Sequence, residues 1–272
     1  MSLAESLEIA TCTDPGVVRA HNEDSIAADP ETGLVVLADG MGGHNAGEVA
    51  SGMATTVICN EINNRTRALD PRVGGRTREE VHQLLIEQIQ RANVSIYQAA
   101  QSEAQFSGMG TTLVTALFYD NKVTVAHIGD SRMYRMRRAR LECITRDHSL
   151  LQEQIDCGMI TQEQARFSTH RNLVTRALGV HPIVEADLID LEVRPDDIFL
   201  FCSDGLNDMV SDEDIELTLG TLAVNLRLAA QQLVQAANDN GGRDNVSVVL
   251  VRIKRDFAAS RSLLSKLTAK LG

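Results

Sequence analysis

No stretch of this chain stays apolar for the roughly 20 residues a helix needs to cross a bilayer, and the N-terminus, MSLAESLEIATCTDPG, carries neither a basic leader nor an apolar segment behind it. Neither a membrane span nor a secretory leader is expected, and the cytoplasm is the expected location. There is no C-x-x-C pair: Cys12, Cys59, Cys143, Cys157 and Cys202 are odd in number and scattered, which predicts reduced, mostly buried thiols rather than a disulfide framework. Basic charge is in deficit. A formal net charge of -11 with a pI near 5.1 argues against a nucleic-acid partner, which would need a clustered basic surface. Internal repeats and low-complexity segments are also missing. What is present is a length of 272 residues with 43% hydrophobic side chains, enough for a substantial core in one or two soluble domains.

Apolar and β-branched clustering predicts strands at GLVVLAD, TTLVTALFY, KVTVAHIGD, MYRMRR, DIFLFCSD and NVSVVLVRI. Helical spacing appears at Val81, Leu85, Ile89, Ala92 and Ile96, and again at Leu226, Ala229, Leu233 and Ala237. Asp120-Asn121 in LFYDNKVTV marks a hairpin. Strands thus occur in adjacent hairpins as well as between helices, which favours an α+β layered fold over a doubly wound parallel sheet. NNRTRALDPRVGGRTRE reads as an exposed loop. The segment from 256 to 272 reads as an amphipathic appendage, with Leu263, Leu264, Leu267 and Leu271 opposed by Arg261, Lys266 and Lys270, suited to dock on its own domain or on a partner.

Carboxylates recur where strands end. Asp39 follows LVVLA, Asp130 follows VTVAHIG, Asp204 follows FLFCS, and Asp244 precedes NVSVVLV. Taken singly, each is a turn residue. Antiparallel pairing, however, sets the end of one strand beside the start of its neighbour, so all four can meet at one edge. Gathered carboxylates repel one another unless a cation neutralises them, and an oxygen-only donor set suits Mg²⁺ or Mn²⁺.

RAHNEDS, VLADGMGGHNAGEVAS, GMGTTL, HIGDSRMYR, TRDHSL, LVTRALG, FLFCSDGLNDMVSDEDI and GGRDNVSVVLV follow in that order between about Ile9 and Ile253. Together they closely resemble the metal-dependent serine/threonine protein phosphatases, the type 2C family, in its compact bacterial form. The resemblance implies a four-layer αββα sandwich, two antiparallel sheets flanked by helices, in a catalytic domain over 1–255 with a two-metal centre at one end. By motif, Asp39 is similar to the residue bridging both ions and Gly40 to the one offering its carbonyl. Asp204 and Asp244 resemble ligands of the second ion, and Asp130 the ligand of a third, weaker one. Glu23 and Asp24 match acids that hold metal-bound waters, and Arg19 matches the phosphate-binding arginine. Without the motif, Arg19 would read as a surface salt bridge.

The implied reaction is hydrolysis of phosphoserine and phosphothreonine in proteins by a metal-activated water, with Mn²⁺ or Mg²⁺ as cofactor, opposing a bacterial Ser/Thr kinase and acting as a monomer. Larger members carry a histidine directly after the Asp-Gly pair, where Met41 stands here. A thioether donates no proton, so a metal-bound water, His44 or His148 is left as general acid, each histidine being equally readable as a loop hydrogen-bonder. The segment over about 148–175 resembles the variable flap beside the bacterial site, and a fixed helical hairpin is its plain alternative. Two other functions compete: a binding protein that kept the fold and lost the chemistry, and a phosphatase for small phosphoesters.

Overall fold

A computed structural model describes residues 3–43, 45–67, 76–165 and 173–258. Two antiparallel sheets lie face to face. The first joins β1 (Leu7–Asp14), β11 (Val246–Ile253), β10 (Ile198–Cys202), β7 (Arg132–Arg137) and β8 (Arg140–Cys143) in that order. The second joins β2 (Asp24–Asp29), β3 (Leu34–Met41), β5 (Leu113–Tyr119), β6 (Lys122–Ile128) and β9 (Asp187–Glu192), with the short β4 (Gly110–Thr111) paired to the end of β3.

Period-two patterning divides each strand between two cores. In β3, Val35 and Leu37 face the other sheet and meet Phe199, Phe201, Val249 and Val251, while Leu34, Val36 and Ala38 face outward. Helices α1 (Ala46–Arg67) and α2 (Arg78–Ser102) cover that outer face through Ala50, Ala54, Ile58, Leu85, Ile89 and Ile96. On the far side, α6 (Asp212–Leu222) and α7 (Leu226–Asp239) cover the first sheet through Ile215, Leu219, Ala229 and Leu233. The architecture is the expected αββα sandwich, with three apolar layers between four structural ones. Both apolar stripes foreseen in the sequence are the buried faces of α2 and α7. The Asp120-Asn121 hairpin is also found: both residues have positive φ (44° and 55°), as a type I′ turn needs, and Tyr119 pairs with Lys122.

Two expectations are corrected. The interval NNRTRALDPRVGGRTRE is not one loop. It begins inside α1, where Arg65 binds Glu61 one turn back and Glu87 of α2 at 3.2 and 2.9 Å, and it ends inside α2, whose capping box joins Thr77 to Glu80; residues 68–75 lie outside the described set. The thiols are free, but Cys202 alone is buried, and Cys143 and Cys157 are exposed. The flap interval contains α3 (Leu150–Asp156), with Gly158 at φ +69° just beyond its end, and the short α4 (Gln162–Ala165). Most of the C-terminal appendage, residues 259–272, lies outside the described residues, although Phe257 packs against the central core. Among the described residues no helix is long and apolar enough to cross a membrane.

Candidate functional site

The strand-end aspartates converge at one end of the sandwich because the register leaves them there. Asp39 pairs directly with Asp24 across β2 and β3. Asp204 opens α5 (Asp204–Asn207) immediately after β10, and Asp244 stands just before β11, the antiparallel neighbour of β10, so both fall on one edge of the first sheet. Asp130 sits in the link from β6 to β7, the point where the chain crosses from one sheet to the other. Each sheet therefore contributes acids to a common end. They lie near enough to act on one another: Asp24, Asp204, Asp130 and Asp244 each raise the Asp39 pKa, and Asp130, Asp208, Asp244 and Asp24 raise that of Asp204.

Short polar groups fix the backbone around them. Thr112 accepts from Asp39 N at 3.1 Å through Oγ1 and donates its own N–H to Asp39 O at 2.8 Å, while Thr111 Oγ1 donates to the same carbonyl. Ser203 Oγ donates to Asp24 Oδ2 at 2.8 Å, tying the end of β10 to β2 in the other sheet. Asn245 accepts from Glu23 N and donates to the carbonyls of Pro15 and His21, so it shapes the loop that presents Arg19. At Gly40 the first turn of α1 comes so close that a Cβ would lie 2.1 Å from Gly47 O; no side chain fits there. The Glu23 carboxylate accepts from Gly47 N–H at the start of that helix.

Burial dominates the acid–base behaviour. Loss of water pushes the Asp24 carboxyl up to about 6 and Asp130 up to about 7, and neighbouring carboxylates add to the rise at each. Asp39 and Asp204 rise well above the ordinary carboxylate range for the same two reasons, burial first. One oxygen of Asp24, Oδ1, is buried with no hydrogen-bond partner among the described residues. Crowded, mutually repelling oxygen donors with an unsatisfied lone pair fit a hard divalent cation.

Arg19 stands at the rim, half exposed, with Nη2 2.7 Å from Asp244 Oδ2. It is thus both a salt bridge and a neighbour of the acidic cluster. Met41 ends β3 and pairs with Gly110; His44 lies outside the described residues. His148 is buried, and its ring nitrogens are directed at Gly129 and Asp187. A cavity of about 500 Å³ opens beside Asp130 and Asp204, between α3 and the turn from α5 to α6, with Asp147, Asp208, Asp212 and Arg132 in its wall. Arg132 grips Asp147 through two bonds of 2.9 and 2.7 Å. Sequence reading left Thr111, Thr112, Ser203, Asn245, Arg132 and Asp147 without roles. Thr112 and Asn245 lie within GMGTTL and GGRDNVSVVLV, but a threonine beside a strand looks like an ordinary strand former until its hydroxyl is seen to hold Asp39.

Known proteins match this arrangement over most of the chain. Residues 17–246 match the family described as protein phosphatase 2C. The serine/threonine phosphatase stp of Listeria monocytogenes is 38% identical over 242 residues, 88% of this chain and 93% of its own length. A crystal structure of the Mycobacterium tuberculosis serine/threonine phosphatase PstP/Ppp superposes with a TM-score of 0.82 at 38% identity, covering 92% of this chain and 99% of that one. A crystal structure of the PstP catalytic domain in complex with two manganese ions superposes with a TM-score of 0.79 at 38% identity, covering 91% and 98%. With its sandwich, its ordered motifs and its converging carboxylates, the chain belongs to the protein phosphatase 2C family.

Proposed function

We propose that the acidic end of the sandwich is the catalytic centre of a divalent-metal-dependent phosphatase that removes phosphate from serine and threonine in proteins. The observation that carries this reading is the crowding of half-buried Asp39 and Asp204 with each other, with Asp24 and with the buried Asp130, a repulsive arrangement that bound cations relieve. In the proposed assignment Asp39 and the Gly40 carbonyl hold a pair of core ions with Asp204 and Asp244, and Asp130 holds a third, outer one. Mn²⁺ or Mg²⁺ suits the oxygen donors, and a relative bound to two manganese ions supports the core pair. When bound, such ions supply neutralisation of the phosphoryl charge and activation of water near neutral pH.

The chain's own residues do the rest. Glu23 and Asp24, anchored by Gly47 N–H and Ser203 Oγ, are placed to orient water at the cluster. Arg19 exchanges Asp244 for two phosphate oxygens as substrate arrives, and its planar fork sets the phosphorus for in-line attack. No covalent enzyme intermediate is required. The general acid is left unassigned, since Met41 donates no proton. The segment over about 148–175 is proposed as a flap beside the cavity that selects protein substrates. A Ser/Thr kinase or its targets are the proposed partners, and a cytoplasmic monomer the proposed setting.

The test is turnover of p-nitrophenyl phosphate and of a phosphothreonine peptide by the purified chain. Hydrolysis should require Mn²⁺ or Mg²⁺ and stop with EDTA; undiminished turnover after thorough chelation sinks the assignment. A phosphopeptide panel run against phosphometabolites separates a protein phosphatase from one acting on small phosphoesters.

A further inference from the structure

Behind the Asp130 loop lies a second group of titratable side chains, to which the proposed reaction assigns no step. His127 and His148 are 1% and 5% exposed, and their rings stack with centroids 4.7 Å apart and planes 24° from parallel. Asp187, which pairs with His127 across β6 and β9, brings Oδ2 to 3.3 Å from His148 Nε2. Gly129 donates its N–H to His148 Nδ1 at 3.1 Å, and His148 N–H donates to Gly129 O at 2.9 Å. A single residue thus clamps both polar atoms of the glycine that precedes Asp130. On the other side of the loop, Thr112 Oγ1 meets Ser131 Oγ at 2.7 Å, and a Cβ on Gly129 (φ +102°) would lie 2.7 Å from the Thr112 side chain.

The donors of His127, His148 and Asp187 lie within 4.8 Å of one another, a spacing that could suit a metal ion. The hydrogen bonding excludes it. Nδ1 of His148 accepts from an amide, so the hydrogen of the neutral ring sits on Nε2, and no lone pair remains for a cation. A metal-ligating imidazole donates from its other nitrogen, whereas His148 accepts there. Burial and the nearby Arg176 also hold the His148 pKa below its ordinary value, which keeps Nδ1 an acceptor near neutral pH.

We infer that His148 is a positioning residue whose Nδ1, by accepting the Gly129 amide hydrogen, sets the direction of the Asp130 carboxylate. This rests on the reading of Asp130 as an outer metal ligand. The consequence is a link between the base of the flap and the outer ion site: Ser149 bridges Val174 and caps α3, so the residue that fixes Asp130 is the one at which the flap begins. The long Nε2 approach to Asp187, which lacks a well-aligned hydrogen bond, is secondary.

Asparagine and glutamine separate the two ring nitrogens. His148→Asn places Oδ1 where Nδ1 stood and gives up Asp187; His148→Gln reaches toward Asp187 and gives up the Gly129 amide. Both are made in the full chain beside Asp130→Ala. Three quantities are read: the Mn²⁺ concentration for half-activation, kcat and KM on a phosphothreonine peptide, and amide hydrogen exchange at Gly129 in the metal-free protein. His148→Asn should stay near wild type in all three. His148→Gln should lose Gly129 protection and require on the order of 10-fold more Mn²⁺, with kcat reduced and KM little changed, in the direction of Asp130→Ala. Equal behaviour of the two variants, both impaired or both normal, overturns the inference. If Asp130→Ala itself is silent, the ligand reading of Asp130 fails, and Gly129 exchange still decides whether His148 holds the loop. Should melting show that the glutamine variant has lost its fold, the asparagine variant decides alone: loss of Gly129 protection there overturns the proposal.

Discussion

Two ionisable clusters, one of half-buried and buried carboxylates and one of buried imidazoles, lie a few residues apart on either side of the Asp130 loop, and loss of water drives them in opposite directions. The carboxylates of Asp24, Asp39, Asp130 and Asp204 are pushed up, because each charge loses water and faces others of its sign. The imidazoles of His127 and His148 are pushed down, His127 to about 4, because a buried ring is easier to keep neutral. The histidines reach a low-energy state by shedding a proton and stacking. The carboxylates escape their repulsion only by taking up protons or by meeting a cation, and a divalent cation neutralises several of them at once. The same solvent exclusion that makes one cluster a structural prop makes the other the proposed metal centre.

The largest effect expected from breaking this contrast is at Asp39. Asp39→Asn should abolish turnover while raising the melting temperature of the metal-free protein near neutral pH, since one member of a repulsive group becomes neutral at nearly constant shape. In a chain of this size each kcal/mol of stability corresponds to about 2–4 °C. A metal-free variant that melts below wild type would mean that Asp39 is stabilised by partners other than an ion.

Much of this site could be read from the sequence, and for identifiable reasons. β3, β10 and β11 are largely apolar runs with an aspartate at or just beyond one end, and β6 runs into Gly129-Asp130, so both strand and strand-end acid show in one line of text. The strands β1, β2, β8 and β9 did not show. They lie at or next to sheet edges, with half-buried residues in LEIATCTD and DLIDLE that follow no clean alternation. The helical end of α1 was hidden because Asn63, Asn64 and Thr66 are poor helix formers, overridden here by the ion pairs of Arg65 with Glu61 and Glu87. Arg19 was legible only by motif. Its loop is shaped by Asn245, some two hundred residues away, and spacing along the chain cannot reveal that.

A smaller effect is expected at Arg19. Truncation in Arg19→Ala removes a charge-assisted contact worth about 1.5–3 kcal/mol, roughly a tenfold to hundredfold fall in kcat/KM, with most of the loss in KM. Arg19→Lys should recover only part of it, because a point charge lacks the fork. Steady-state kinetics at saturating Mn²⁺ read both. Because Arg19 also neutralises Asp244, metal affinity of the alanine variant should shift far less than turnover; a parallel collapse of metal binding would make the arginine part of the acidic scaffold instead.

The smallest effect is on stability against pH. His127 titrates near 6.5 in the unfolded chain and at about 4 when folded, so its contribution is complete above 6.5 and is lost as pH falls from there toward about 4. Denaturant unfolding of chelated wild type and His127→Gln across that window isolates the term, since both share the carboxylates. The acid-side loss should be shallower in the variant. Parallel curves would show that the ring is protonated in the folded protein as readily as in the unfolded one.

The central claim, that the strand-end carboxylates exist to hold divalent cations, is tested most directly by calorimetric titration of Mn²⁺ into the metal-stripped 272-residue chain near neutral pH. The account predicts a core pair of sites in the wild type that disappears in Asp39→Asn, and a weaker outer site that Asp130→Ala removes while the core pair remains. Wild-type protein that releases no binding heat, or an Asp39→Asn variant that binds Mn²⁺ as the wild type does, would contradict it.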